Sequence, residues 1–195
     1  MKRIAKVVRK TKETSISLEL NLDGTGSYQV KTPIPFLNHM LELFAKHGIF
    51  DLKIAALGDT DVDDHHLVED VGISLGEAVR EALGPKKGIR RYGFFVLPMD
   101  EVLTTVAVDF PGRPGFSYQT PIKKGKIKSF DLELVGHFFE SFTHAAGANL
   151  HILVHYGKIK HHIVESIFKS FARAVDMATQ IDSRVRGVPS TKGVL

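Results

Sequence analysis

At 195 residues, with 43% hydrophobic and 25% charged side chains, the chain has the make-up of a globular protein able to bury a core, and disorder is excluded. It contains no cysteine, so disulfides and thiolate metal sites are excluded and any metal must be held by imidazole and carboxylate. The net charge of +4 comes from Lys and Arg in short scattered clusters without an interleaved aromatic stripe, which argues for a small anionic ligand and against nucleic acid.

Met1-Lys2-Arg3-Ile4-Ala5-Lys6 leads into an alternating strand pattern rather than an apolar signal, and no run approaches the roughly 20 apolar residues of a membrane span. A cytoplasmic, soluble protein with no membrane partner is expected. Ile16, Leu18, Leu20 and Leu22 alternate with Ser17, Glu19 and Asn21, the period of a strand with one wet face, and Asp23-Gly24 reads as a turn into Tyr28-Gln29-Val30. Beyond Pro33 and Pro35, the residues Phe36, Leu37, Met40, Leu41 and Phe44 have helical spacing, with His39 in the first turns and Gly48 as the stop after His47. Leu52-Lys53-Ile54 resumes a strand, and the acidic run Asp59–Asp64 ends with Asp64 placed to cap a helix from about 65 to 83, closed by Gly84-Pro85.

The second half repeats this order, with strands over 102–110 and 117–118, a helix over 132–145, a strand over 150–156 and a last helix over 162–181. The stretch 84–93, carrying Lys86, Lys87, Arg90 and Arg91, is the expected junction, dividing the chain into half-repeats 1–90 and 91–195. Two ββαβα units predict an α/β (α+β) two-layer fold, with helices on one face of mixed sheets and the halves related by a pseudo-twofold axis.

The duplication is sharpest in the histidines. His65-His66-Leu67-Val68-Glu69 returns as His161-His162-Ile163-Val164-Glu165, 161 − 65 = 96 positions later, and His39 returns as His137, 137 − 39 = 98 positions later. On a helix each residue advances about 100°, so a His and a Glu four apart share a face while adjacent histidines diverge and should serve different ions. The expected grouping is His39, His65 and Glu69 around one ion and His137, His161 and Glu165 around another, with His66 and His162 crossing to the opposite set. Three imidazoles and one carboxylate leave open positions on a six-coordinate ion; Mn²⁺ is the favoured metal, with Zn²⁺, Fe²⁺ and Co²⁺ as alternatives. His144, His151 and His155 fit no repeat-wide pattern.

Taken together, Lys12-Glu13-Thr14, Asn38-His39-Met40-Leu41, Asp64-His65-His66-Leu67-Val68-Glu69-Asp70, Arg91-Tyr92-Gly93, Met99-Asp100-Glu101, Gly112-Arg113-Pro114, His137-Phe138-Phe139, the second histidine motif with Phe168-Lys169, and Pro189-Ser190-Thr191-Lys192-Gly193 make the chain resemble the imidazoleglycerol-phosphate dehydratase family almost end to end. The resemblance implies half-domains of the ribosomal-protein-S5-domain-2-like type, assembled as a 24-subunit homo-oligomer with two Mn²⁺ ions per active site between subunits. It implies a hydro-lyase of histidine biosynthesis, converting D-erythro-1-(imidazol-4-yl)glycerol 3-phosphate to 3-(imidazol-4-yl)-2-oxopropyl phosphate and water through a dimanganese-bound imidazolate.

It also implies roles. Glu13, His65 and His162 are expected at the reacting groups, with Glu13 shuttling the proton. His47, Arg91, Arg113, Lys169, Ser190, Thr191 and Lys192 join Glu13 as substrate contacts, the cations and hydroxyls serving the phosphate. The tail lacks the GxxxxGK of a nucleotide loop. Leu43, Asn38 and Ile159-Lys160 depart from residues common in the family, and none of them removes an expected ligand. Two rival readings share the metal set: a dinuclear phosphomonoester hydrolase, which would carry Asp-rich bridging ligands although the one dense Asp run, Asp59–Asp64, has no counterpart in the second repeat, and a non-catalytic metal-binding shell, which gives Glu13 no task.

Overall fold

The computed structural model describes residues 2–193. Its first half runs β1 (Ile4–Lys10), β2 (Thr14–Asn21), β3 (Tyr28–Lys31), α1 (Pro35–Gly48), β4 (Asp51–Gly58) and α2 (His65–Leu83). The second runs β5 (Tyr92–Met99), β6 (Val102–Asp109), β7 (Gly115–Gln119), the short hairpin β8 (Lys126–Ile127) and β9 (Phe130–Asp131), then α3 (Glu133–Ala146), β10 (Asn149–Tyr156) and α4 (Lys160–Thr179). Two four-stranded sheets have matching orders, β1-β2-β4-β3 and β5-β6-β10-β7, each with one parallel pair at the same edge, β3 on β4 and β7 on β10.

Three strands of each four-stranded sheet therefore precede the first helix of their half, where the sequence pattern gave two. The strand that escaped notice is β5, because Tyr92, Phe94 and Val96 point outward and remain more than half exposed, so both faces look apolar and the period of two disappears. Pro98 is tolerated there because β5 is an edge strand. The turn after Leu22 does not make a hairpin either, since β4 pairs with β2 and separates it from β3.

The helices form the inner layers. In the first half α2 lies on β1 and β2 and α1 on β3; in the second α4 lies on β5 and β6 and α3 on β7. Across the halves α2 packs on α3 and α1 on α4, leaving the far faces of the sheets open. Gly72 and Gly76 let α2 approach α3, since a Cβ at either would stand 2.6 Å from the Phe138 carbonyl oxygen or 2.5 Å from that of Phe142. The other contact is filled by phenylalanine: Phe44 of α1 stacks on Phe171 of α4 at 5.4 Å, and Phe139 and Phe142 meet Phe171 edge-on. All four are fully buried, each contributing about 1.5–3 kcal/mol of transfer free energy, so one apolar core spans both halves.

Helix boundaries follow local chemistry. Pro35 opens α1, and Asn38 accepts from the Thr32 amide at 2.9 Å and returns a bond to the Thr32 carbonyl at 3.0 Å. At its far end the left-handed residue is Ile49 (φ 59°), not Gly48; a Cβ on Gly48 would meet the Phe50 ring at 2.3 Å. The expected Asp64 cap is not made: the His65 amide donates to Asp63 Oδ1 at 2.8 Å, while burial, aided by Asp63, pushes the Asp64 carboxyl above its ordinary pKa. The last helix stops at Thr179 because Ile181 bridges to Ile89 in the junction.

Candidate metal centre and substrate site

Because α1 crosses α4, the histidine of the first repeat meets the motif of the second. His39 Nε2 lies 3.4 Å and His161 Nε2 3.0 Å from the same oxygen, Glu165 Oε2, and the two rings are 5.7 Å apart. One ligand atom from each of the three lies within 4.8 Å of the others, a spacing that one cation could span. Phe36 packs edge-on against His161 at 5.5 Å and fixes its plane. Across the pseudo-twofold, α2 on α3 brings the His65 and His137 rings to 4.8 Å, with His65 Nε2 3.9 Å from Glu69 Oε2.

The expected grouping is thus corrected: His39 joins His161 and Glu165, and His137 joins His65 and Glu69. Each upstream histidine sits on a helix that packs against the motif helix of the other half, and spacing along the chain carries no information about that pairing.

His66 and His162 turn away from these clusters, their rings at 88° to those of His65 and His161. Each is gripped at Nδ1 by a loop carboxylate, His66 by Asp59 at 3.1 Å and His162 by Glu101 at 2.9 Å, with Asp100 3.5 Å from His162. The hydrogen bonds push both imidazoles above their ordinary pKa, and the bond from His162, backed by the Ile159 amide, holds Glu101 down to about 2. A carboxylate on Nδ1 fixes the tautomer and leaves Nε2 as the free donor, the arrangement that orients metal-ligating histidines. Asp59 and Glu101 were missed as functional residues; Met99-Asp100-Glu101 stood out only as a motif, and an orienting acid has no fixed spacing from its histidine.

Glu165 is held on several sides. Burial, the largest single effect, would raise its pKa, but Lys169 Nζ at 2.6 Å and the hydrogen bonds from His39 and His161 together turn the net shift downward. Lys169 in turn lies near His47, whose pKa is lowered by burial and then by Lys169; Arg173 Nη1 donates to the His47 carbonyl at 3.2 Å. Lys169 and Arg173 thus set two cations along α4 beside His47. Along α2 and α3 lies a cavity of about 450 Å³ lined by Glu69, Glu77, Glu140, His137 and His144. A second cavity, about 610 Å³, opens beside His65 and His137, bordered by Asp64 and by Lys126 and Asp131 of the β8–β9 hairpin.

The remaining candidates lie apart. Glu13 is exposed at the β1–β2 turn, 4.0 Å from His66 Nδ1. Arg91, at φ 73°, forks onto Asp109 at 2.7 and 3.1 Å and donates to the Pro189 carbonyl at 3.0 Å, so in this conformation it anchors the root of the tail. Ser190, Thr191 and Lys192 form a local turn, the Lys192 amide donating to Ser190 Oγ at 3.2 Å, and Arg113 is exposed in the loop before β7. Among the described residues no hydrogen bond or ion pair joins Arg113 or Lys192 to either histidine cluster.

An α/β fold whose two halves pack helix layer on helix layer and carry two pseudo-symmetric imidazole–carboxylate sets, one paired with Lys169, has the donors of a divalent-metal protein. The chain matches the imidazoleglycerol-phosphate dehydratase family over residues 32–175 and belongs to that family. It is 57% identical to the imidazoleglycerol-phosphate dehydratase of Geobacter sulfurreducens and 54% identical to that of Geobacillus kaustophilus, in each case over 195 residues and the full length of both chains. The solved dehydratase of Staphylococcus aureus superposes with a TM-score of 0.83 at 37% identity, covering 92% of this chain and 99% of that one. That of Pyrococcus furiosus gives 0.83 at 38%, covering 97% and 100%.

Proposed function

We propose that the protein removes water from D-erythro-1-(imidazol-4-yl)glycerol 3-phosphate to give 3-(imidazol-4-yl)-2-oxopropyl phosphate, as a step of histidine biosynthesis. The observation that carries this reading is the pair of His/His/Glu sets, His39, His161, Glu165 and His137, His65, Glu69, within a chain of this family. The donors are imidazole and carboxylate, which suits Mn²⁺ and other borderline-to-hard divalent ions. We assign His39, His65, His66, Glu69, His137, His161, His162 and Glu165 as the ligands of two Mn²⁺ ions per active site. Bound there, the ions supply Lewis-acid stabilisation of negative charge on the imidazole ring and a template for its orientation.

The protein's own groups do the rest. The proton to be lost sits on a carbon with no neighbouring carbonyl, and we assign Glu13 to take it and return it as hydroxide departs as water. Asp59 and Glu101 keep Nε2 of His66 and His162 available. Lys169, Arg113, Ser190 and Lys192 hold the phosphate, Thr191 and His47 border it, and Arg91 secures the tail that carries the hydroxyls.

Glu13 is exposed beside His66, and the rings of His66 and His162 stand at 88° to those of His65 and His161, which supports a site completed by neighbouring copies in the proposed 24-subunit assembly. The exposed apolar strand face of Tyr92, Phe94, Val96, Leu153 and Tyr156 supports burial against such neighbours. The same reading divides the chain into repeats at 90/91 and sets the enzyme in the cytoplasm. No helix among the described residues is long and apolar enough to cross a membrane.

Mass spectrometry and phosphorus NMR of imidazoleglycerol phosphate after incubation with Mn²⁺-loaded protein test the proposal. Loss of one water with phosphate retained, abolished by chelation, supports it; release of free phosphate would replace it with a hydrolase, and no turnover with any divalent metal would leave a storage shell.

A further inference from the structure

The turn that carries Glu13 is tied to the first histidine motif by a hydrogen-bond chain, rooted in the buried Thr14–Asp70 pair, that neither the metal set nor the phosphate contacts require. Asp70, the residue after Glu69, is 7% exposed and points from α2 back to the strands. Its Oδ1 accepts from Arg9 Nε at 2.7 Å and its Oδ2 from the hydroxyl of Thr14, itself 4% exposed. With Thr14's single proton committed to Asp70, the 3.1 Å contact between the hydroxyls of Thr11 and Thr14 is donated by Thr11. Thr11 Oγ1 then accepts the backbone amides of Glu13 at 3.1 Å and Thr14 at 2.9 Å. The turn is closed from the other side by the Asp59 amide, which donates to the Glu13 carbonyl at 3.2 Å. The chain of bonds runs without a gap from the helix that presents Glu69 to the backbone of Glu13.

The second repeat has no such device. At the motif offset, 166 − 70 = 96, Ser166 stands where Asp70 does, bonding to the Thr104 hydroxyl at 2.7 Å and to the Ile163 carbonyl at 2.8 Å. A neutral pair is thus enough to seat a motif helix on its strands. A buried carboxylate is costlier, because its charge must be desolvated and fully bonded. The β5–β6 turn of the second repeat also carries an acid, Glu101, but that acid is held directly by His162 at 2.9 Å, whereas Glu13 stands 4.0 Å from His66 and its carboxylate makes no hydrogen bond among the described residues.

We propose that Asp70, Thr14, Thr11 and Arg9 are positioning residues that hold Glu13 in register with the first histidine motif. This rests on the reading of Glu13 as the proton-transfer group, through which all four act. Displacing a reacting group by about an ångström costs up to about a hundredfold in rate, and removing an orienting bond about ten- to a hundredfold.

The test is steady-state kinetics on the metal-loaded assembly. Thr14→Val removes the hydroxyl at nearly constant volume and should lower kcat about tenfold, with KM within about twofold of the parent. Metal content should not change, and Thr14→Ser should restore turnover. Thr11 is exposed, so Thr11→Val leaves the core untouched and should act in the same direction; it decides the matter if Thr14→Val fails to fold. On a Glu13→Gln background neither substitution should lower kcat further. The proposal is overturned if both variants turn over like the parent, if their cost persists undiminished on Glu13→Gln, or if Glu13→Gln alone is fully active. In all three cases the dehydratase reading would stand; an inactive parent would remove that reading and the positioning role together.

Discussion

Gly72→Ala isolates the packing on which the second histidine cluster depends. Propensity alone favours the change, since alanine inside a helix is worth about 1 kcal/mol over glycine. The new Cβ, however, would stand 2.6 Å from the Phe138 carbonyl oxygen and 3.3 Å from Ser141 Cβ. Ordinary contact begins at 3.4 Å, so α2 and α3 must part by 3.4 − 2.6 = 0.8 Å, and a backbone oxygen has no rotamer with which to yield. Overpacking of this size costs about 1–3 kcal/mol, so after the propensity gain the net loss is up to about 2 kcal/mol. Because α2 carries His65 and α3 carries His137, with rings 4.8 Å apart, the same displacement should weaken metal binding about tenfold. Gly136→Ala is the control: its Cβ meets only the Tyr118 ring, at 3.4 and 3.5 Å, so propensity should win and stability hold or rise. Denaturant unfolding of the metal-free protein and titration calorimetry with Mn²⁺ read the two effects. A Gly72→Ala protein as stable as Gly136→Ala, with unchanged Mn²⁺ affinity, would refute the reasoning.

Glu101→Ala should weaken metal binding about ten- to a hundredfold, since it removes the acceptor that orients His162, and calorimetry measures it. In the metal-free protein the pKa of His162 is raised above 6.5, so the stability from its pairing is complete below that pH and lost as pH rises through the raised value. Unfolding midpoints of the parent and His162→Gln should therefore converge as pH rises; a gap that widens would reverse the sign. Lys192→Ala should raise KM far more than it lowers kcat, as loss of a contact made equally to ground and transition states requires, and an unchanged KM would remove the tail from the site. If the ligands also join subunits, chelated protein should elute from a sizing column as smaller particles than metal-loaded protein.

The helices were legible because each buries one stripe: Phe36 to Phe44 and 65–83 show their periods plainly, and the repeated motif marks the pseudo-symmetry without any structure. Strand β5 was hidden by its apolar outer face, and the β3 pairing by a crossover that no local turn signal encodes. All eight candidate ligands were visible as residues, but their partners were not. The meeting of His39 with Glu165 depends on α1 packing against α4 through Phe44 and Phe171, a contact 171 − 44 = 127 positions long. Asp59 and Glu101 escaped for a related reason, since loop carboxylates acquire a role only when folding brings an imidazole to them. Arg91 was read as a phosphate ligand from its charge, and only the fold reveals that Asp109 and Pro189 already engage its fork.

The most direct measurement is the metal content of the purified assembly, alongside its dehydration rate, for the parent, Glu69→Gln and Glu165→Gln. Two functional clusters per chain predict about two ions per chain in the parent, about one in each variant, and dehydration lost in both, as expected for sites that act as a pair. Full metal content with full dehydration in either variant would contradict the paired centre, and so would a chelated, metal-free parent that still removes water.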